Sequence, residues 1–288
     1  MSFARRIISL TFTKGVGTFA ESGTNQLTVS GLRVQCNIIN VGGVTMGEAQ
    51  LRIYGLTKQS MIDLSALNGG FMVQRMVELE IRAGDDIDGL ELVFDGQIRI
   101  GQIDLNNAPD SALIVLAYGG IMQALQVATA TSYPMGTDHI TVMKDLAARM
   151  GLGFESTGFP ISLATPYYPG TLRDQTMRCA DAAGVNWTID SGMLIVWPRL
   201  GVRTGTGAVP LVSPDTGMVG YPAYSEIGIA VKTMFNPRIR LGALVTVASS
   251  LPFANGTWGA FFIRHELESE TPSGKWFTSF DGQPYIGQ

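Results

Sequence analysis

Cysteine is almost missing from this chain: Cys36 and Cys179 are the only two in 288 residues. Two widely spaced thiols make no disulfide framework and fit synthesis in a reducing compartment. Both are expected to be buried as small apolar residues. Histidine is equally scarce. His139 and His265 stand in no HxxxH, HxH or CxxC spacing, which excludes the usual zinc ligand sets. Charged residues make up only 15%, against roughly 25% in ordinary soluble domains. That shortage points to a subunit that buries much of its surface in an assembly. The net charge is −4 and no basic cluster stands out, so the footprint of a nucleic-acid binder is missing. No apolar run approaches the ~18 residues of a membrane-spanning helix. The stretch after Arg5-Arg6 alternates like a strand and is too short and polar for a signal-peptide core.

What is present is mostly strand. In residues 32–40 Leu32, Val34, Cys36 and Ile38 share one face, and in 49–56 Leu51 and Ile53 alternate with Gln50 and Arg52, the period of a half-buried strand. Thr57 is placed to cap a short helix reaching towards Leu67, with Met61, Ile62 and Leu64 on its apolar side. Residues 76–85, 90–105 and 111–120 continue the strands, and Gly96 predicts a bulge or sharp bend. Five or six strands with one inserted helix predict a closed or nearly closed barrel over residues 1–125.

Residues 126–207 have a different texture, that of a small α+β insert. Val142, Leu146 and Met150 share a helical face, with Asp138 or Thr141 as cap and Gly151 just past the end. Thr171 is placed to cap a second helix, Leu172–Ala183, which Gly184 ends. A hairpin then turns at Asp190-Ser191-Gly192. Residues 202–210 are glycine-rich and polar, a joint. The last region, 208–288, is β again and predicts a second barrel or half-barrel. Within it Asn236-Pro237 and Leu241-Gly242 make a rigid corner between two strands, because proline cannot donate to a ladder. A final hairpin, 256–269 and 274–282, turns at residues 270–273.

Chemistry is harder to find. There is no GxSxG elbow, and the glycine runs at 15–23 and 201–208 lack the Lys-Ser/Thr of a phosphate loop. Glu78, Glu80, Asp95 and Asp104 are the candidates for a paired-carboxylate hydrolase. Their alternation predicts solvent-facing side chains instead. Asp138 is expected to cap a helix beside a solvated His139, and His265 and Glu266 to face opposite sides of a strand. Trp187 with Trp197, and Trp258 with Trp276, are expected to pack across their hairpins rather than stack on sugars. No catalytic, cofactor-binding or metal-binding residue is expected.

Three segments resemble hub proteins of tailed-phage baseplates. Residues 184–199 are similar to that family's hairpin carrying Gly-x-x-Trp and Gly-x-Leu-x-Ile. Residues 216–247 follow its next stretch, with Gly217, Gly220, Pro222, Gly228, Phe235, Asn236, Pro237 and Gly242 in matching places. Residues 264–282 resemble its closing hairpin through His265, Leu267, Gly274, Trp276 and Thr278. Met218 and Met234 stand where leucine is usual. Over the first 125 residues only the order of strands agrees. The resemblance implies a mainly β, non-enzymatic protein with two tail-tube-like β-barrel domains flanking the α+β insert. It implies a homotrimeric ring that joins the tail tube, or a distal tail protein, to the central spike. Passing DNA would be held without specific binding in a weakly charged or acidic channel, with no membrane contact. The place implied is the virion tail baseplate, after assembly in the host cytoplasm. A cell-wall-degrading tail enzyme or a carbohydrate-binding tail module is the alternative.

Overall fold

The computed structural model describes residues 4–285 apart from Val44, residues 66–76, Asn107, residues 126–127, Thr206 and Glu226. The first region supplies β1 (Arg6–Lys14), β2 (Gln26–Ser30), β3 (Val34–Asn40), β4 (Glu48–Tyr54), β5 (Val77–Asp85), β6 (Gly89–Asp104) and β7 (Ala112–Tyr118). Alternation sets their faces. In β5, Val77, Leu79, Ile81 and Ala83 are buried while Glu78 and Arg82 are exposed, the arrangement of a sheet with one face on a core. Between β4 and β5 lies α1 (Lys58–Leu64), capped by the Thr57 hydroxyl, which accepts from the Ser60 amide at 3.1 Å. The expected end of that helix near Leu67 lies outside the described residues.

The bulge expected at Gly96 falls elsewhere. The register of β6 slips against β5 at Val93 and against β7 at Arg99. Gly96 is required for another reason: a Cβ there would stand 2.6 Å from the Tyr118 carbonyl oxygen, a close backbone approach.

After α2 (Ile121–Leu125), the insert contains β8 (Thr131–Ser132), α3 (His139–Arg149), β9 (Gly153–Ser156), β10 (Tyr167–Tyr168), α4 (Leu172–Ala183), β11 (Val185–Asp190) and β12 (Met193–Pro198). Asp138 caps α3 by accepting from the Thr141 amide at 2.9 Å. Thr171 and Asp174 form a capping box on α4, and Gly184 ends it at φ 65, as a left-handed C-terminal glycine does. The β11–β12 turn uses Ser191 and Gly192, both at positive φ, the twist that tight hairpins prefer. One pairing lay beyond local signals: β9 adds to β12 in parallel.

The last region contributes β13 (Leu211–Val212), β14 (Ala223–Tyr224), β15 (Ile229–Met234), β16 (Leu244–Val247), β17 (Gly256–Ser269) and β18 (Trp276–Pro284). Among the described residues one 13-stranded sheet runs β14-β15-β18-β17-β3-β4-β7-β6-β5-β1-β2, with β16 on β17 and β13 on β16. The two β regions are therefore continuous through β17 and β3, paired from Ile263↔Asn40 to Ser269↔Val34. Neither region forms a closed ladder among the described residues. The first sheet curls until the start of β1 meets the β17–β18 turn, where Arg5 bonds Glu270 at 2.6 Å and Arg6 donates to the Gly274 carbonyl at 2.8 Å.

Three hydrophobic clusters fill the molecule. The first lies inside the curled sheet and takes in Leu267 and Trp276 from the final hairpin. The second lies between α3, α4 and the insert sheet. The third is capped by the same insert hairpin: Trp187, Leu194 and Val196 face the second cluster, Ile195 and Trp197 the third. The corner after β15 drives Ile239 and Leu241 into this third cluster. It is held by the Asn236 side chain accepting from the Arg238 amide at 3.0 Å and by Gly242 at φ 76.

Candidate assembly surface

The outward face of the sheet crosses the β17–β3 seam without a break. Arg264 stands opposite Ile39, which is followed across the sheet by Glu48, Tyr118, Gln97 and Glu78, one residue from each of six strands. The neighbouring row runs Glu266, Asn37, Gln50, Leu116. Residues two apart on a strand share a face, so these rows, polar except at Ile39 and Leu116, cross from one β region to the other. At the seam they leave a shallow depression of about 390 Å³ lined by Asn37, Gln50, Arg52, Arg264, Glu266 and Lys275.

Glu266 is the ionic centre of that depression. Its carboxylate lies 3.1 Å from Lys275 Nζ and 3.7 Å from both Arg264 and Lys232. Burial alone would raise its pKa, but the three cations outweigh burial and hold it below the usual carboxylate range. Arg264 also donates to Asn37 Oδ1 at 2.8 Å across the seam. The alternating charges of Arg264-His265-Glu266-Leu267-Glu268 were the signal for this node. The sequence reading used them only to separate His265 from Glu266.

An acidic patch lies further along the face. Glu80 stands directly opposite Asp95, an unfavourable like-charge pair. Burial first, then Glu78, Glu80 and Asp190, push Asp95 up to about 6, although its side chain is open to solvent on one side. Arg82 bonds Glu80. Asp190, at the tip of the insert hairpin, lies 3.6 Å from Arg240, and Arg203 is held by Glu155 at 2.7 Å. Asp104 is not part of this patch. It sits nine residues along β6 from Asp95, about 30 Å of extended strand, and bonds Arg52 and the Asn106 amide.

The other candidates are structural in their surroundings. His139 is buried, contrary to the solvated side chain expected: its Nδ1 accepts from the Ile161 amide at 3.0 Å. The helix start that it shares with Asp138 faces the 161–163 segment rather than water. His265 is buried 2.9 Å from the Thr278 hydroxyl. Both cysteines are buried, and burial pushes each thiol up to about 12, where a thiolate is scarce. The tryptophans do not pair within their hairpins. Trp187 faces Val196, Trp276 faces Leu267, and Trp258 faces Pro284. Trp187, Trp197 and Trp276 are buried, which removes them as sugar-stacking platforms. Among the described residues no group of three His, Cys, Asp or Glu is placed to hold a metal, and no helix is long and apolar enough to cross a membrane.

One long strand, β17, thus joins two β regions into a single sheet whose outer face carries mixed charge. Residues 7–275 match the family described as baseplate hub gp41. The chain belongs to the baseplate hub gp41 family. This hub chain also shares its fold with solved phage tail proteins. A tail protein from Neisseria meningitidis MC58 aligns with a TM-score of 0.64 at 10% identity, over 96% of each chain. The 43 kDa tail protein of prophage MuSo2 from Shewanella oneidensis aligns at 0.57 and 11% identity, over 95% of this hub chain and 96% of its own. The E. coli c3393 protein aligns at 0.58 and 12% identity, over 88% of this chain and 73% of its own. That protein is described as a type VI secretion component similar to the T4 tail proteins gp27 and gp5. No curated protein matches the sequence. The hub chain is thus a structural component of a phage tail baseplate.

Proposed function

We propose that the hub chain forms a homotrimeric ring that joins the tail tube, or a distal tail protein, to the central spike, with its outward sheet face lining the DNA channel. The observation that carries this reading is the continuous, mainly polar face across the β17–β3 seam. A channel lining needs polar side chains that do not hold phosphate. Here Lys232, Arg264 and Lys275 pair with Glu266 and Arg52 with Asp104, and the acidic patch around Asp95 repels polyanions. Residues 1–125 and 208–288 then act as two tube-like barrel units flanking the 126–207 insert. The curl closed by Arg5–Glu270 supports the first of these. Both ends of the sheet, β2 and β14, are unpaired on one side among the described residues. A ring covers such edges with the neighbouring chain. The subunit is read as non-enzymatic, without cofactor or metal, assembled in the host cytoplasm and resident in the virion.

Light scattering on a sizing column tests the ring. A mass three times 30.9 kDa, about 93 kDa, alone or on adding the spike protein, supports it. A monomer that persists at high concentration with tube and spike proteins present rejects it.

A further inference from the structure

The insert hairpin, the corner after β15 and the end of β3 meet around a partly enclosed cavity of about 30 Å³. Val93 of the first cluster, Ile189 at the edge of the second and Ile239 of the third line it. Leu92, Pro237, Leu241 and Ile263 add to the apolar part of the wall, and its polar lining is Asn40, Thr188, Asp190, Arg240 and His265. Thr188 shares the face of β11 that carries Asp190, away from Trp187 and the second cluster. His265 uses Nδ1 towards Thr278, which leaves Nε2 for the cavity. Arg240 is anchored 3.6 Å from Asp190 and donates to the Leu92 carbonyl at 3.4 Å.

We propose that this cavity is a binding site for one or two ordered water molecules that bridge the insert hairpin to the sheet. A buried water needs roughly 10–15 Å³ of space for its centre and two to four polar partners; the cavity offers both. Apolar cavities of similar size stay dry, but this one holds a hydroxyl, an imidazole, an amide and an ion pair. The charges balance, since Arg240 disfavours a cation and Asp190 an anion, so the ligand is neutral. Water then joins three hydrophobic clusters at a place where their polar edges converge. This site is independent of the oligomeric state of the chain.

An experimental density map of the full chain tests the proposal directly. A peak at hydrogen-bond distance from both His265 Nε2 and the Thr188 hydroxyl is the expected result. Two substitutions supply a second readout. Asn40→Leu fills the space with hydrocarbon and strands the other polar groups, and Thr188→Val deletes one partner at nearly constant shape. Both are expected to lower Tm by several degrees. A cavity without density, a raised Tm in either variant, or a peak that refines as a halide and follows halide concentration overturns the proposal.

Discussion

His265 and Glu266 are consecutive residues of β17 that serve opposite sides of one sheet. His265 is buried 2.9 Å from the Thr278 hydroxyl, while Glu266 gathers Lys232, Arg264 and Lys275 on the outer face. A single strand at the seam therefore carries a neutral imidazole inside and an ionic node outside, and the two respond differently to pH.

Burial, with Arg240 nearby, pushes His265 down to about 4. The unfolded chain titrates it near 6.5, so between those values the unfolded state binds more protons. Stability is expected to fall as pH drops from 6.5 towards 4, by of the order of 3 kcal/mol. His265→Gln removes this contribution. Urea midpoints across that range should give a flatter pH slope for the variant; an unchanged slope would assign the loss to other groups.

Asp95 has the opposite sign. Its folded pKa, about 6, lies above the unfolded value, so the native state binds more protons between about 4 and 6. Its charge costs stability above pH 6, and that cost disappears below pH 4. Because Asp95 is partly open to solvent, screening reduces the effect to about 1 kcal/mol. Asp95→Asn is expected to raise Tm at pH 7.5 and to leave it unchanged at pH 3.5. A variant less stable at pH 7.5 would mean that the carboxylate is a needed partner.

Glu266→Gln leaves Lys232, Arg264 and Lys275 facing one another. With its side chain 18% exposed, Glu266 is worth about 1–2 kcal/mol at low ionic strength and less in concentrated salt. The folded pKa is lowered, so this stabilisation is present above pH 4.5 and is lost as pH falls through the folded value. Chemical denaturation by urea at low and high sodium chloride should show the wild-type advantage shrinking with salt. An equal advantage at both would show that packing, rather than charge, is what the substitution removes.

Gly242 and Gly220 separate backbone strain from crowding. Both have positive φ, 76 and 73, but a Cβ at Gly242 would stand 2.8 Å from the Trp197 ring, whereas Gly220 has nothing within 4 Å. Gly220→Ala is expected to cost about 1 kcal/mol, the penalty of a left-handed alanine. Gly242→Ala adds overpacking of about 1–3 kcal/mol. Comparable melting temperatures for the two variants would show that Trp197 gives way freely.

Local signals carried much of the architecture. Thr57, Asp138 and Thr171 each cap the helix expected of them, and Gly184 and Gly192 end and turn the chain as their freedom at positive φ allows. Such features depend on residues three or four apart. The β17–β3 ladder joins residues more than two hundred positions apart, and no short pattern encodes it. His139 was misread because a helix start says nothing about the segment packed against it. Gly96 was misread because a close carbonyl and a bulge both demand glycine. On the assembly surface, alternation showed which residues point outward. It could not show that Glu266 and Lys232, from different strands, would meet.

Leu267 and Trp276 complete the first hydrophobic cluster, although the rest of that cluster is encoded between Ile8 and Ala117. During synthesis the N-terminal sheet can complete this cluster only after Leu267 and Trp276 have been made, more than a hundred residues beyond Ala117. A truncated chain that lacks the final hairpin would expose this face, making it a substrate for chaperones or proteases rather than for assembly.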